Sequence, residues 1–138
     1  MISGIIEGFY GPPWSHEARL DFLDFLVEHG GNTYVWAAKL EPRHRENWAE
    51  AFTDSELHQF SELAQRQQQV QVLIGITPGT EATTKQLADK LRPAIERGCH
   101  GIVLSFDDLP VLLPEHKAYK NRLFYWPFLA KLTYYNHL

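Results

Sequence analysis

Cysteine is almost absent: Cys99 stands alone in 138 residues. No disulfide can form within the chain, and its cysteine usage does not mark an oxidising compartment. Apolar runs never exceed a few residues, which excludes a membrane-spanning helix of ordinary length. No charged-then-apolar leader is recognised, so secretion is unsupported and a cytoplasmic location is the expectation. Basic excess is missing too. Thirteen Lys and Arg face 17 Asp and Glu, a formal net charge of -4, which argues against a nucleic-acid partner. Seven histidines are scattered without HExxH or comparable spacing, so neither a metal nor another cofactor is expected. The glycines form neither GxGxxG nor GxxxxGK[ST], and Ser105 lacks a GxSxG frame, which removes the phosphate-cradling loops and the nucleophile elbow.

Core-forming material is plentiful, with 44% hydrophobic and 13% aromatic residues, and the length fits one compact domain. Four short apolar or β-branched runs, Gly4–Tyr10, Asn32–Ala37, Val70–Ile76 and Gly101–Phe106, are sized like strands. Helical spacing fills the intervals. Ser15–His29 carries a stripe of Leu20, Leu23, Phe25, Leu26 and Val27, with Ser15 as N-cap and Gly30-Gly31 as the stop. Asp54–Gln69 opens on Asp54-Ser55. Thr84–Arg97 ends at Gly98, with Pro93 predicting a kink or a late break. Strand and helix therefore alternate with a period of about 30 residues, as parallel α/β folds do. A doubly wound sheet and a (β/α)8 barrel both fit. Residues from Pro110 onward are expected to be a loop followed by a helix.

In such folds chemistry gathers where strands end. Strand one runs into Glu7-Gly8-Phe9-Tyr10-Gly11 and Trp14, strand two into Lys39, Glu41, His44 and Arg45, strand three into Thr77-Pro78-Gly79, and strand four into Asp107-Asp108. Aromatic faces suit sugar C–H groups and charged groups suit hydroxyls. Two adjacent acids crowd like charges, which raises the pKa of one of them. A carboxyl held neutral can protonate a glycosidic oxygen while its ionised neighbour stabilises positive charge. The same dipeptide could equally cap the next turn, or contribute to a cation site for which no third ligand is evident. Glu7 is expected to pair with a cation on a neighbouring strand, His44-Arg45 to cap or brace their loop, and Trp14, Trp36, Trp48 and Cys99 to serve packing.

Taken in order, Ile6-Glu7-Gly8-Phe9-Tyr10-Gly11, Pro13-Trp14, Asn32-Thr33-Tyr34, Lys39, His44-Arg45, Trp48, Ile76-Thr77-Pro78-Gly79 and Phe106-Asp107-Asp108 resemble glycoside hydrolase family eighty-four, which contains the protein O-GlcNAcases. The resemblance runs from about Gly4 to Leu109. It implies an α/β fold of about four βα units with parallel strands, forming the N-terminal half of a TIM (β/α)8 barrel, with residues 1–138 as part of a catalytic barrel. It also implies a β-N-acetylglucosaminidase that removes terminal N-acetylglucosamine from glycoproteins or related glycans. Hydrolysis would be substrate-assisted and retaining, through an oxazoline formed by the sugar's own acetamido oxygen. By position, Asp107 would orient the acetamido group, Asp108 would be general acid and then base, and Gly8 and Lys39 would contact sugar hydroxyls. Four positions depart from the family pattern: Ala38 stands for a proline, Leu40-Glu41 for an acid pair, and Thr77 for a serine.

A catalytically inactive remnant or glycan-binding fragment is the alternative that these residues leave open. Four βα units fill about half of the roughly 250 residues such a barrel takes. The isolated chain is therefore expected to be poorly stable, to self-associate, or to require the rest of the barrel. Size-exclusion chromatography with a denaturant titration checks this expectation: a cooperatively folding monomer would contradict it.

Overall fold

The computed structural model describes residues 1–78 and 82–105. Seven elements follow one another: β1 (Gly4–Glu7), α1 (His16–Glu28), β2 (Thr33–Trp36), α2 (Asp54–Arg66), β3 (Gln71–Ile76), α3 (Thr84–Glu96) and β4 (Gly101–Leu104). The strands form one parallel sheet in chain order, β1-β2-β3-β4. Glu7 lies opposite Trp36, Trp36 opposite Ile74, and Ile76 opposite Leu104. A doubly wound sheet reverses its strand order and is covered on both faces. Here the order never reverses. All three helices bury against one face, where Tyr34, Trp36, Val72, Ile74, Ile76 and Leu104 meet Leu23, Leu26, Phe60, Leu63, Leu87 and Leu91. The other face carries a smaller cluster of Val35, Ala37 and Val103, with Leu73 packed against it. This is the single winding of a (β/α) barrel.

Local signals explain the boundaries. Ser15 caps α1 by accepting from the Ala18 N–H, as expected. The opening of α2 differs from the Asp54-Ser55 reading: Thr53 is the cap, and its hydroxyl and the Glu56 carboxylate satisfy each other's backbone N–H groups. An S/T-x-x-E box outweighs an acidic residue one position later. The same box joins Thr83 to Gln86 at the start of α3. Pro93 lies within α3, and the helix continues through it to Glu96. The carbonyl that Pro93 leaves unpaired four residues back belongs to exposed Asp89, on the solvent side. The strands are also shorter than their apolar runs, because β1 stops at Glu7 and β4 at Leu104.

Glycine is required where β2 and β3 approach each other. A Cβ on Gly75 would stand 2.8 Å from the Ala37 Cβ and 3.0 Å from the Trp36 carbonyl oxygen. The helix side is dominated by aromatic packing. Trp36, 2% exposed, meets Phe60 edge-on at 5.1 Å, and Phe60 meets Phe52 at 5.0 Å. Each such buried ring contributes about 1.5–3 kcal/mol relative to exposure. Cys99 is buried in the same core, where burial pushes its thiol up to about 12, so it is inert packing as expected.

A cation also sits on this apolar face. Lys90 shares the buried stripe of Leu87, Leu91 and Ala94, and its Nζ donates to the Glu50 carbonyl and lies 3.4 Å from the Phe52 ring centroid. Burial pushes Lys90 down to about 8. The folded-state value lies below the unfolded one, so between pH 8 and 10.5 the unfolded chain binds more protons and stability rises with pH. Lys90→Met should flatten that rise, which is worth about 2 kcal/mol once solvent screening is allowed for. Urea titrations of both proteins across this range check it; parallel curves would contradict it.

Candidate functional site

Because the strands are parallel, Glu7, Trp36, Ile76 and Leu104 all end at one rim. The chain leaves β1 abruptly: the Gly8 N–H donates back to the Ile6 carbonyl at 2.8 Å. A Cβ on Gly8 would sit 3.3 Å from Ile6 Cγ2, so a side chain there crowds the turn. After β2, Ala37 and Ala38 remain buried and Lys39 follows half-buried. The Lys39 N–H donates to the Phe9 carbonyl at 3.2 Å. That bond draws together the loops that carry Gly8 and Lys39. Trp14 packs beside them, 5.6 Å from Phe9 and 4.9 Å from Phe22, and Arg45 donates to the Tyr10 hydroxyl at 2.9 Å.

Beneath the rim lies an ionic cluster built around a fully buried acid. Glu7 is 0% exposed and points toward the helices. Arg19 of α1 grips it with both arms of the fork, Nε to Oε2 at 2.9 Å and Nη2 to Oε1 at 2.9 Å. Tyr34 donates its phenolic O–H to Oε2, and the Trp14 N–H donates to Oε1 at 3.1 Å. The Arg19 Nη2 also reaches Glu41 Oε1 at 2.6 Å. Burial opposes the charge on Arg19, but its hydrogen bonds to Glu7 and Glu41 outweigh that and hold the guanidinium more firmly protonated than usual. Burial and the neighbouring Glu7 charge push the Tyr34 phenol up, so it remains a donor. The expected cation on a neighbouring strand is thus replaced by one on a helix. The side of β1 that bears Glu7 faces α1, and the long side chain of Arg19 reaches it from that helix.

His44 braces the next part of the rim. It is fully buried, its Nδ1 lies 2.8 Å from the Gly75 carbonyl, and its Nε2 lies 3.2 Å from Thr77 Oγ1. A carbonyl only accepts, so Nδ1 carries a proton, and in the neutral ring Nε2 accepts from the Thr77 hydroxyl. The Thr77 N–H donates to the His44 carbonyl at 2.7 Å. Of the two readings offered for His44, the brace is correct. At the last strand, the Ser105 N–H donates to the Ile76 carbonyl at 2.9 Å. Asp107 and Asp108 lie outside the described residues, as do Gly79, Leu109 and the segment from Pro110 onward.

Sequence reasoning passed over Arg19 and Lys90, and named Tyr34 only as part of a motif. Arg19 shares its buried helix face with Leu23 and Leu26, at i, i+4 and i+7. A cation on an apolar stripe signals a buried partner, and Glu7 is an acid inside a strand. Among the described residues, no group of three His, Cys, Asp or Glu could hold a metal ion, and no helix is long and apolar enough to cross a membrane.

Comparison with known proteins places this rim in a family. The model of the beta-N-acetylglucosaminidase family matches residues 3–133. The chain belongs to that family. Among its relatives are Protein O-GlcNAcase of Rattus norvegicus and of Mus musculus, each 33% identical over 117 residues, covering 79% of this chain and 13% of the relative. Solved structures similar to this beta-N-acetylglucosaminidase-family chain include an Asp-to-Asn mutant of Thermobaculum terrenum O-GlcNAc hydrolase. It is 33% identical, with a TM-score of 0.75 over 86% of this chain and 28% of that one. The structure of CpGH84B is 30% identical, with a TM-score of 0.77 over 89% of this chain and 24% of that one. The family assignment agrees with the resemblance to glycoside hydrolase family eighty-four, and the chain spans about an eighth of its curated relatives' length.

The ionic cluster makes a strong claim about stability. Arg19→Met would leave the buried Glu7 without its cation, at a cost of about 3–5 kcal/mol. Glu7→Leu combined with Arg19→Met should be less harmful than Arg19→Met alone, since no buried acid is stranded. Chemical denaturation of both variants decides it; a single substitution costing under about 1 kcal/mol would show that the pair contributes little.

Proposed function

We propose that this chain contributes to a β-N-acetylglucosaminidase that removes terminal N-acetylglucosamine from a glycan or glycoprotein. The observation that carries this reading is family membership together with the shared rim of Gly8 and Lys39. The backbone at Gly8 and the ammonium of Lys39 would bind sugar hydroxyls. Asp107 and Asp108, two and three residues past Ser105 in sequence, would supply the chemistry.

Asp107, ionised, would accept the acetamido N–H. That orients the acetamido oxygen toward the anomeric carbon and offsets the positive charge that develops in the transition state. Asp108, protonated, would give its proton to the departing oxygen. Once the oxazoline has formed, the same carboxylate would take a proton from the incoming water. Two displacements at one carbon retain its configuration, and no enzyme carboxylate attacks the sugar. Adjacent acids suit this division of labour, because each charge discourages the other and leaves one proton between them.

The test is hydrolysis of chromogenic N-acetylglucosaminides by the chain and by Asp108→Asn. General acid–base assistance is worth about 10²–10⁴-fold, so loss of Asp108 should cost that much on a poor leaving group. The loss should be far smaller on an activated phenol, which departs without a proton. Rate against pH should be bell-shaped, with the acid limb falling as Asp107 protonates and the alkaline limb falling as Asp108 loses its proton. An equal loss on both leaving groups would remove Asp108 from the acid role. Sugar binding without turnover in the unaltered protein would favour a glycan-binding role instead.

A further inference from the structure

We propose that Arg19 is a positioning residue for the sugar site, using one guanidinium shared between Glu7 and Glu41 to fix the loops bearing Gly8 and Lys39 against each other. This inference rests on the reading that Gly8 and Lys39 contact the sugar. Glu7 directly precedes Gly8, and Glu41 follows Lys39 by two residues. The Glu41 N–H donates to the Ala38 carbonyl at 3.0 Å, so Lys39 and Leu40 form the tip of a closed turn. Two bonds hold that turn to the β1 side: Lys39 N–H to Phe9 O at 3.2 Å, and Arg19 Nη2 to Glu41 Oε1 at 2.6 Å.

The second contact is more than charge compensation. Glu7 already meets Arg19 in a two-point grip and neutralises it. The Glu41 side chain keeps 19% of its exposure, so its carboxylate has access to water without Arg19. What the contact adds is a tether. A single nitrogen, Nη2, bonds an acid at the end of β1 and an acid in the loop after β2. The planar fork makes both bonds at fixed angles, which a lysine cannot do. Glu41 occupies a place where the family pattern carries an acid pair, of which this chain keeps one member as glutamate, with Leu40 55% exposed beside it.

Two variants of the whole chain test the tether, Glu41→Ala and Arg19→Lys, each of which leaves Glu7 with a cation. Hydrogen exchange at the Lys39 amide reads the tether directly. Protection there should fall about tenfold in both variants, while the Ile74 amide in β3 keeps its protection. With a chromogenic N-acetylglucosaminide, KM should rise about five- to tenfold and kcat stay within about twofold, since binding geometry rather than the proton transfers is disturbed. Unchanged protection at Lys39 would overturn the proposal whatever the kinetics. So would lost protection with unchanged KM. Should the unaltered protein show no turnover, the glycosidase reading fails separately, and the exchange measurement alone decides the tether.

Discussion

A carboxylate with no access to water organises this protein. Glu7 ends the first strand, faces the helical layer, and is held by a forked guanidinium, a phenol and a backbone N–H. An ion of that kind is tolerable inside a protein only when its partners are fixed, so the requirement propagates outward. Arg19 must keep its place on α1, which sets the rotation of that helix against the sheet. Tyr34 must lie in the second strand with its hydroxyl inward. The Trp14 N–H must return over the strand end, which confines the loop after β1 to a narrow path. The rim above inherits its geometry from that arrangement.

A second layer of order comes from the side chains that follow β2. Lys39, Glu41, His44 and Arg45 lie within seven residues, and each of the first three has a specified job in joining neighbouring strand ends. Helix α3 adds a clasp from below through Lys90 and the Glu50 carbonyl. The sheet thus supplies the spacing between strands, while buried polar groups convert that spacing into fixed positions for the loops. Apolar packing alone would leave those loops loosely placed, because it is not directional.

Much of this is legible in the sequence. Alternation of apolar runs with capped helical stripes gave the parallel α/β order, and Ser15 and Gly30 marked the limits of α1 correctly. The strand order that separates a singly from a doubly wound sheet is a tertiary fact, and pattern alone left both open. Thr53 was missed because Asp54 and Ser55 are themselves good caps, and only the pairing with Glu56 decides among three candidates. For Glu7 the strand sequence shows that a cation is needed without saying which element supplies it, and the partner comes from α1 rather than a neighbouring strand. The motif residues Gly8 and Lys39 share one rim, while Asp107 and Asp108 lie outside the described residues.

The grip of His44 on Gly75 and Thr77 has a consequence for how such a site could accommodate differently shaped molecules. It welds the segment after the second strand to the exit of the third, so neither can swing independently. In the proposed sugar-binding reading, breadth of specificity would therefore have to come from other segments. If the rim binds a sugar as proposed, these two segments would act as one fixed wall of that site.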